Sequence, residues 1–465
     1  MKHRIIQVII LLCFYQIVGC NQPTVSTSGW TDLENILEKI VPPTFPDKYY
    51  DITSFGAVGD GKYDCTDAFK NAIDECNKNG GGNVLVPEGT FLTGPILLKS
   101  NVNLHVSENA VVLFSKEYSK YLPVVFTRWE GVECMNYSPM IYAYEQENIA
   151  VSGKGILDGQ GSNDNWWSWK GKKDYGWIDE LPHQKNDRNK LFRFAENNVP
   201  PEERVFGEGH YLRPNFVQLY KCKNILIEGV TFKNSPMWFI HPVLCNNVTV
   251  KDVTVEGLGP NNDGCNPESS KNVLIKDCFF NTGDDCVAIK SGRNNDGRRV
   301  NVSSENIVVQ DCIMKEGHGG VVIGSEISGG VRNVFAENCQ MDSPNLDRAI
   351  RIKTNAVRGG TVENIYVRNI NVGQVKESVL KINFYYEEGE DGDFIPTVRN
   401  IHMENVESQT SPYAIWIKAF DNSPVTGLTI KNCKFNNVEK KSIIQNVKEL
   451  TVESVLINGE EFSLD

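Results

Sequence analysis

From Asn224 onward one phrase recurs: Asn or a stand-in, apolar, any, apolar, any, a turn residue, apolar. It begins at Asn224, Asn247, Asn272, Asn306, Asn333, Asn364, Asn400 and Gly427, so the intervals are 23, 25, 34, 27, 31, 36 and 27 residues. A repeat on this scale requires a stacked architecture, in which each unit buries its apolar face against the next. Within a unit the alternation has strand period, and Gly, Asn and Asp stand at the corners. Strands without intervening helices, in coils of ~22 residues or more, stack as an all-β parallel helix with rungs ~4.8 Å apart. The position six residues after each start reads Val230, Val253, Cys278, Cys312, Cys339, Ile370, Val406 and Cys433. Four cysteines thus share a column with Val and Ile, and they read as small core residues rather than ligands or disulfides.

The rest of the chain fits one elongated domain over 48–465, since a repeat core grows along its axis and need not split. Asp51 to Gly61 is a turn-rich entry, and Thr66 to Asn77 has the pattern of a short amphipathic helix capping the open end of the core. Val84-Leu85-Val86-Pro87 begins the first coils. Between Gly159 and Pro214 the period is lost in a polar stretch with Trp166, Trp167, Trp169 and Trp177. In a stacked helix such an insertion (160–214) is expected as a lip over a groove, the plainer alternative being a surface elaboration.

The first residues, Met-Lys-His-Arg followed by an apolar run from Ile5 to Val18, describe an export signal over 1–19 and are too short for a membrane span. Ile17-Val18-Gly19-Cys20 resembles a bacterial lipobox, which makes Cys20 the expected lipidation site and residues 20–47 a tether. The expectation is an exported, membrane-anchored lipoprotein working as a monomer. Of 13 cysteines, Cys13 leaves with the signal and Cys20 carries the lipid, so 13 − 2 = 11 remain, with no CxxC pair to suggest zinc or redox chemistry. A net charge of −12 argues against a nucleic-acid partner, but admits an anionic substrate if the cleft is locally basic.

Two segments break the apolar repeat with acids, Asn261-Asn262-Asp263-Gly264 and Gly283-Asp284-Asp285-Cys286. Asp284 lies 12 residues after its repeat start at Asn272, and His318, in Gly317-His318-Gly319, lies 12 after Asn306, which makes them rung neighbours. If Ile289, Ile323 and Ile352 point inward, Ala288, Val322 and Arg351 share one outward column and Lys290, Gly324 and Lys353 the next. Carried back one coil, the register sets Asp263 beside Asp285 and Asn262 beside Asp284. Taken singly, each motif reads as an ordinary turn or charged face; their alignment on consecutive coils points to a site. Carboxylates this close raise each other's pKa, and glycoside hydrolysis needs one protonated and one charged carboxyl. The register makes Asp284, beside His318, the acid and gives Asp263 and Asp285 the water. An acid and base separated by that water favour inversion.

Asn-x-Asp-Gly, Gly-Asp-Asp-Cys, Gly-His-Gly and Arg-Ile-Lys (351–353), in this order and spacing, resemble glycoside hydrolase family 28, the polygalacturonases. The resemblance runs from about Asp51 to the C-terminus. It implies a right-handed, pectin-lyase-like parallel β-helix that cleaves α-1,4-linked galacturonic acid in pectin by inversion, without a metal or other cofactor. It implies Asp284 as general acid, Asp263 and Asp285 as activators of water, and His318 as support for the acid. Asn261, Asn262, Arg351 and Lys353 would bind substrate, the arginine because its planar fork matches a carboxylate. The family's usual Thr is replaced by Asn262, which is expected to keep a hydrogen-bonding side chain beside Asp284. The insertion, and the opening Asp51-Ile-Thr-Ser-Phe-Gly-Ala-Val-Gly-Asp-Gly, resemble bacterial exo-type relatives. Rival readings are a rhamnogalacturonan- or xylogalacturonan-directed hydrolase, a calcium-dependent pectate lyase, and a carbohydrate-binding β-helix without activity.

Overall fold

The structure, a computed structural model, describes residues 29–463. The expected signal, Cys13 and Cys20 lie outside the described residues.

The repeat forms a parallel β-helix. Its named strands pair in parallel except at a hairpin, Val125–Trp129 with Val132–Asn136, and at the closing pair Leu456–Ile457 with Glu460–Glu461. One inward column runs Val248, Val273, Ile307, Val334, Ile365, Ile401 and Leu428 through seven successive coils, each residue buried against the next.

The corners explain the phrase itself. Every repeat start is in the left-handed region, from Asn224 (φ 54°) through Asn306 (φ 58°) to Asn400 (φ 55°), and Gly427 (φ 72°) stands in where asparagine is missing. The turn residue five places on is left-handed too: Gly229, Asp252, Asp277, Asp311, Asn338, Asn369, Asn405 and Asn432. Asn, Asp and Gly are the residues that reach this region at low cost. The starting asparagines also bond along the axis, with Asn306 Nδ2 donating to Asn272 Oδ1 at 2.9 Å and Asn333 Nδ2 to Asn306 Oδ1 at 3.0 Å. The cysteine column behaves as expected: Cys278, Cys312, Cys339 and Cys433 are buried, as are all eleven cysteines of the described residues, and none of these is in a disulfide.

Helix α2 (Thr66–Lys78) caps the first coil with Ala68, Phe69, Ala72, Ile73 and Cys76 turned into the core. The expected tether is packed in its second half. Trp30–Asp32 and helix α1 (Leu33–Leu37) lie across one outer face of the coils, where Trp30, Leu33, Ile36 and Ile40 meet Leu274, Val308, Phe335 and Tyr366. These four apolar residues within eleven positions make an amphipathic contact, which composition alone had classed as linker. Within the 160–214 insertion, Trp166 and Trp169 are buried in the main core and Trp167 donates to Ser235 O at 2.8 Å, so three of the four tryptophans anchor the insertion. The insertion also carries helix α3 (Lys185–Glu196), which packs beside a short helix at Asn294–Val300.

A second face is built by six strands: Val287–Ile289, Val321–Ile323, Arg348–Lys353, Ser378–Asn383, Tyr413–Lys418 and Ile443–Gln445. Their register sets Ala288, Val322, Arg351, Lys381 and Trp416 in one outward column. Isolated bridges Ile240–Cys265 and Cys265–Val287 carry the same face toward the N-terminus.

Candidate active site

The bridge between Cys265 and Val287 fixes an offset of 22 residues, so Asp263 sits on the rung before Asp285 and Asn262 on the rung before Asp284. The next coil follows at an offset of 34, Val287 against Val321, which puts His318 beside Asp284. The outward register of the sequence is the register of the molecule. Gly317 (φ 151°) makes the approach possible, since a Cβ there would stand 2.5 Å from the Asp284 carbonyl oxygen.

One carboxylate oxygen from each of Asp263, Asp284 and Asp285 lies within 4.8 Å of the others. Lys353 Nζ is 2.7 Å from Asp285 Oδ2, Arg351 Nη1 3.6 Å from Asp285 Oδ1, and Lys290 Nζ 3.6 Å from Asp263 Oδ2. Asn266 Nδ2 donates to Asp263 Oδ2 at 3.0 Å. The three acids are the one group of the described residues with the spacing of a metal site, but these ammonium and guanidinium groups already supply the positive charge a cation would bring.

Burial, then the Asp284 charge, pushes the Asp263 carboxyl well above the ordinary range, while Lys290 opposes. Burial would raise Asp284 as well, but the bond from His318 Nδ1 at 2.9 Å and the imidazolium charge prevail and hold it well below. That same bond lifts His318 to about 9. The surroundings therefore favour the neutral form of Asp263 and the charged form of Asp284. At Asp284 a charged hydrogen-bond donor outweighs both burial and the repulsion of its neighbours. The close spacing departs from expectation: it is tighter than the ~6.5–9.5 Å usual between an inverting acid and base.

The groove over this triad encloses about 800 Å³. Its walls include Lys170, Lys172, Trp177, Lys185 and Arg188 from the insertion, so that segment is a lip and not a remote elaboration. Lys170 Nζ and Arg213 Nη2 both donate to Asn261 Oδ1, at 2.7 and 2.8 Å, tying the insertion to the Asp263 turn. Asn261 lines the groove as expected. Asn262 does not: it is fully buried, its Oδ1 accepts from Gly259 N, and its Nδ2 donates to Ser235 O and Met237 O. Alternation along the segment fails here because Asn261 is left-handed (φ 56°), and the Asn262 amide serves the turn in place of substrate.

Several lining residues were not singled out from sequence. Lys290 shares the Lys353 column and was within reach of the same argument; it also bonds Glu326 Oε2 at 3.1 Å and stands 4.6 Å from the Trp238 ring centre. Tyr386 lies 5.6 Å from the Arg351 guanidinium and 5.4 Å from the Lys353 ammonium, but follows the strand in a loop where no periodicity marks it. Lys170 and Arg188 fall in the insertion, which has no register to read.

The comparisons agree with this geometry. The family model for glycosyl hydrolases family 28 matches residues 207–455, and one described as rhamnogalacturonase A/epimerase, pectate lyase-like, matches 49–109. The crystal structure of a hyperthermoactive exopolygalacturonase from Thermotoga maritima is 48% identical, with a TM-score of 0.91, covering 93% of this chain and 96% of that one. An exo-poly-alpha-D-galacturonosidase from Dickeya chrysanthemi is 27% identical over 85% of this chain and 69% of its own length. The family 28 exopolygalacturonase of Yersinia enterocolitica, 22% identical with a TM-score of 0.69 over 88% of this chain and 76% of that one, shares the fold. With a groove-lining triad of aspartates on a parallel β-helix and a family match over more than half its length, this chain belongs to glycosyl hydrolases family 28.

Proposed function

We propose that the chain is an exo-acting polygalacturonase, a glycosidase that removes single galacturonate residues from the end of an α-1,4-linked chain. The observation that carries the reading is the triad in its basic groove, lined in part by the insertion. The near-complete overlap with the Thermotoga maritima exopolygalacturonase supports it.

Asp284 is assigned as the acid although the bond from His318 holds its carboxyl below the ordinary range. Its side chain is 18% exposed toward the groove, against 4% for Asp263 and 1% for Asp285, so it is the one that can reach a glycosidic oxygen. Its proton is the one that burial favours on Asp263: as substrate displaces water it passes within the 4.8 Å cluster to Asp284, which His318 Nδ1 holds in place across the 2.9 Å bond, and Asp263 is left charged. Asp263 and Asp285 would then orient and deprotonate the attacking water. Arg351, whose buried Nε lacks a partner, takes the sugar carboxylate, while Lys353 chiefly balances Asp285. Inversion is the outcome implied by the family resemblance, and proton NMR of the first product anomer tests it.

Export and a lipid anchor at Cys20 are part of the same proposal, supported by the sequence of the first twenty residues; a monomeric working unit is the accompanying reading. Incubation with trigalacturonate should give galacturonic acid as the first product, with reducing ends rising and no ultraviolet absorbance from an unsaturated sugar. An early ladder of oligomers would refute exo action, and chelator-sensitive absorbance would replace the hydrolase with a lyase.

A further inference from the structure

The column of outward residues does not stop at Arg351. Lys381 and Trp416 follow it on the next two rungs, and Asn383 and Lys418 follow Lys353. The residues between them, Leu380, Ile382, Ile415 and Ile417, are in the core, so these side chains face out on the catalytic sheet. The Lys381 ammonium stands 4.4 Å, and that of Lys418 5.3 Å, from the Trp416 ring centre.

The patch is cationic beyond its structural need. Arg348, Arg351, Lys353, Lys381 and Lys418 are set against three acids: Asp285 beside Arg351 and Lys353, Asp347 beside Arg348, and Glu377, shared by Arg348 and Lys381. In a chain of net charge −12 such a surplus is a local arrangement. Burial, with the charges of Arg348 and Arg351, pushes Lys381 down to about 8, which is the response of an ammonium held among like charges. An added carboxylate would relieve it.

Lys170 and Arg213 of the insertion meet the groove at Asn261, on the rung before the Asp284-Asp285 pair, and the later rungs carry the cationic column along which the rest of a chain held in the groove can run. One rung step of ~4.8 Å is close to the length of one sugar in a chain. We propose that Lys381, Trp416 and Lys418 form the binding position for the second acidic sugar beyond the cleaved bond, after the one held by Arg351. The position rests on the exo-polygalacturonase reading. The lysines meet the sugar carboxylate, and the indole keeps both ammonium groups in place beside it.

The test compares digalacturonate, which ends at the Arg351 position, with trigalacturonate, which reaches the new one. The unaltered enzyme should show a higher kcat/KM on the trimer. Trp416→Leu and Lys418→Ala should each raise KM on the trimer by about tenfold, a reasonable size for a cation and ring contact, with KM on the dimer unchanged. Lys381→Met should do the same if it folds, and the other two variants decide the matter if it does not. Equal losses on both substrates, or none on either, overturn the proposal. An unaltered enzyme that cleaves neither substrate instead overturns the reading on which it rests.

Discussion

Replacing Lys353 by methionine tests the electrostatics of the triad more directly than removing any of the acids. Its ammonium is 2.7 Å from Asp285 Oδ2, with both side chains buried. Because the three carboxylates lie within 4.8 Å of one another, the ammonium also acts on Asp263, where it opposes the upward push of burial and of Asp284. At roughly 6–8 Å and an effective dielectric of about 20, one charge is worth about 2 kcal/mol, or ~1.5 pH units. The sign follows: loss of a cation raises the carboxyls, so a site that works with one proton among three acids keeps that proton to higher pH. Both limbs of the kcat/KM profile on trigalacturonate should move upward by about 1–1.5 units. Lys353→Arg keeps the charge and should leave both limbs in place, whatever it does to the absolute rate. If Lys353→Met loses activity with neither limb moved, the lysine acts on substrate alone and the account of the triad is wrong.

Asp284→Asn should lower turnover by at least about a thousandfold while leaving binding of an oligogalacturonate measurable by calorimetry; retained turnover would remove Asp284 from the acid role. Proton NMR of His318 should show an imidazolium that persists past neutrality and titrates near 9, and Asp284→Asn should return it toward the ordinary ~6.5. Asn306→Ala loses two ladder bonds and places alanine at φ 58°, a cost of about 2–3 kcal/mol in urea unfolding. Asn306→Gly keeps the backbone conformation and should cost roughly half of that; equal losses would mean that the ladder, not the turn, fixes asparagine at this column.

The parts legible in the sequence were those tied to the repeat. Once Ile289, Ile323 and Ile352 were set inward, the relative positions of Asp284, His318, Arg351 and Lys353 followed, because parallel rungs convert sequence offsets into neighbours. Asn262 escaped the same logic, since the left-handed Asn261 before it breaks strand alternation and turns the amide inward. The opposite shifts of Asp263 and Asp284 escaped it as well. Repulsion among acids can be inferred from register, but the dominance of one 2.9 Å bond from His318 is a matter of tenths of an ångström. Trp177 and the lysines of the insertion were grouped by composition, which does not tell an anchoring indole from one that faces the groove.

The short segment at the start of the described chain has a consequence for assembly. Val41 exchanges two hydrogen bonds with the side chain of Asn247, 206 positions later, and Trp30, Leu33 and Ile36 rest in a cluster with Leu274, Val308, Phe335 and Tyr366. Those partners belong to coils made well after the segment has left the ribosome, so it has no surface to dock on while the first half of the helix is being wound. Stacked coils need only their neighbours and can form in order, whereas this contact closes a loop of some two hundred residues and must wait. The first described residues of the chain are thus among the last to be seated, and they fasten the catalytic rungs from outside once those rungs exist.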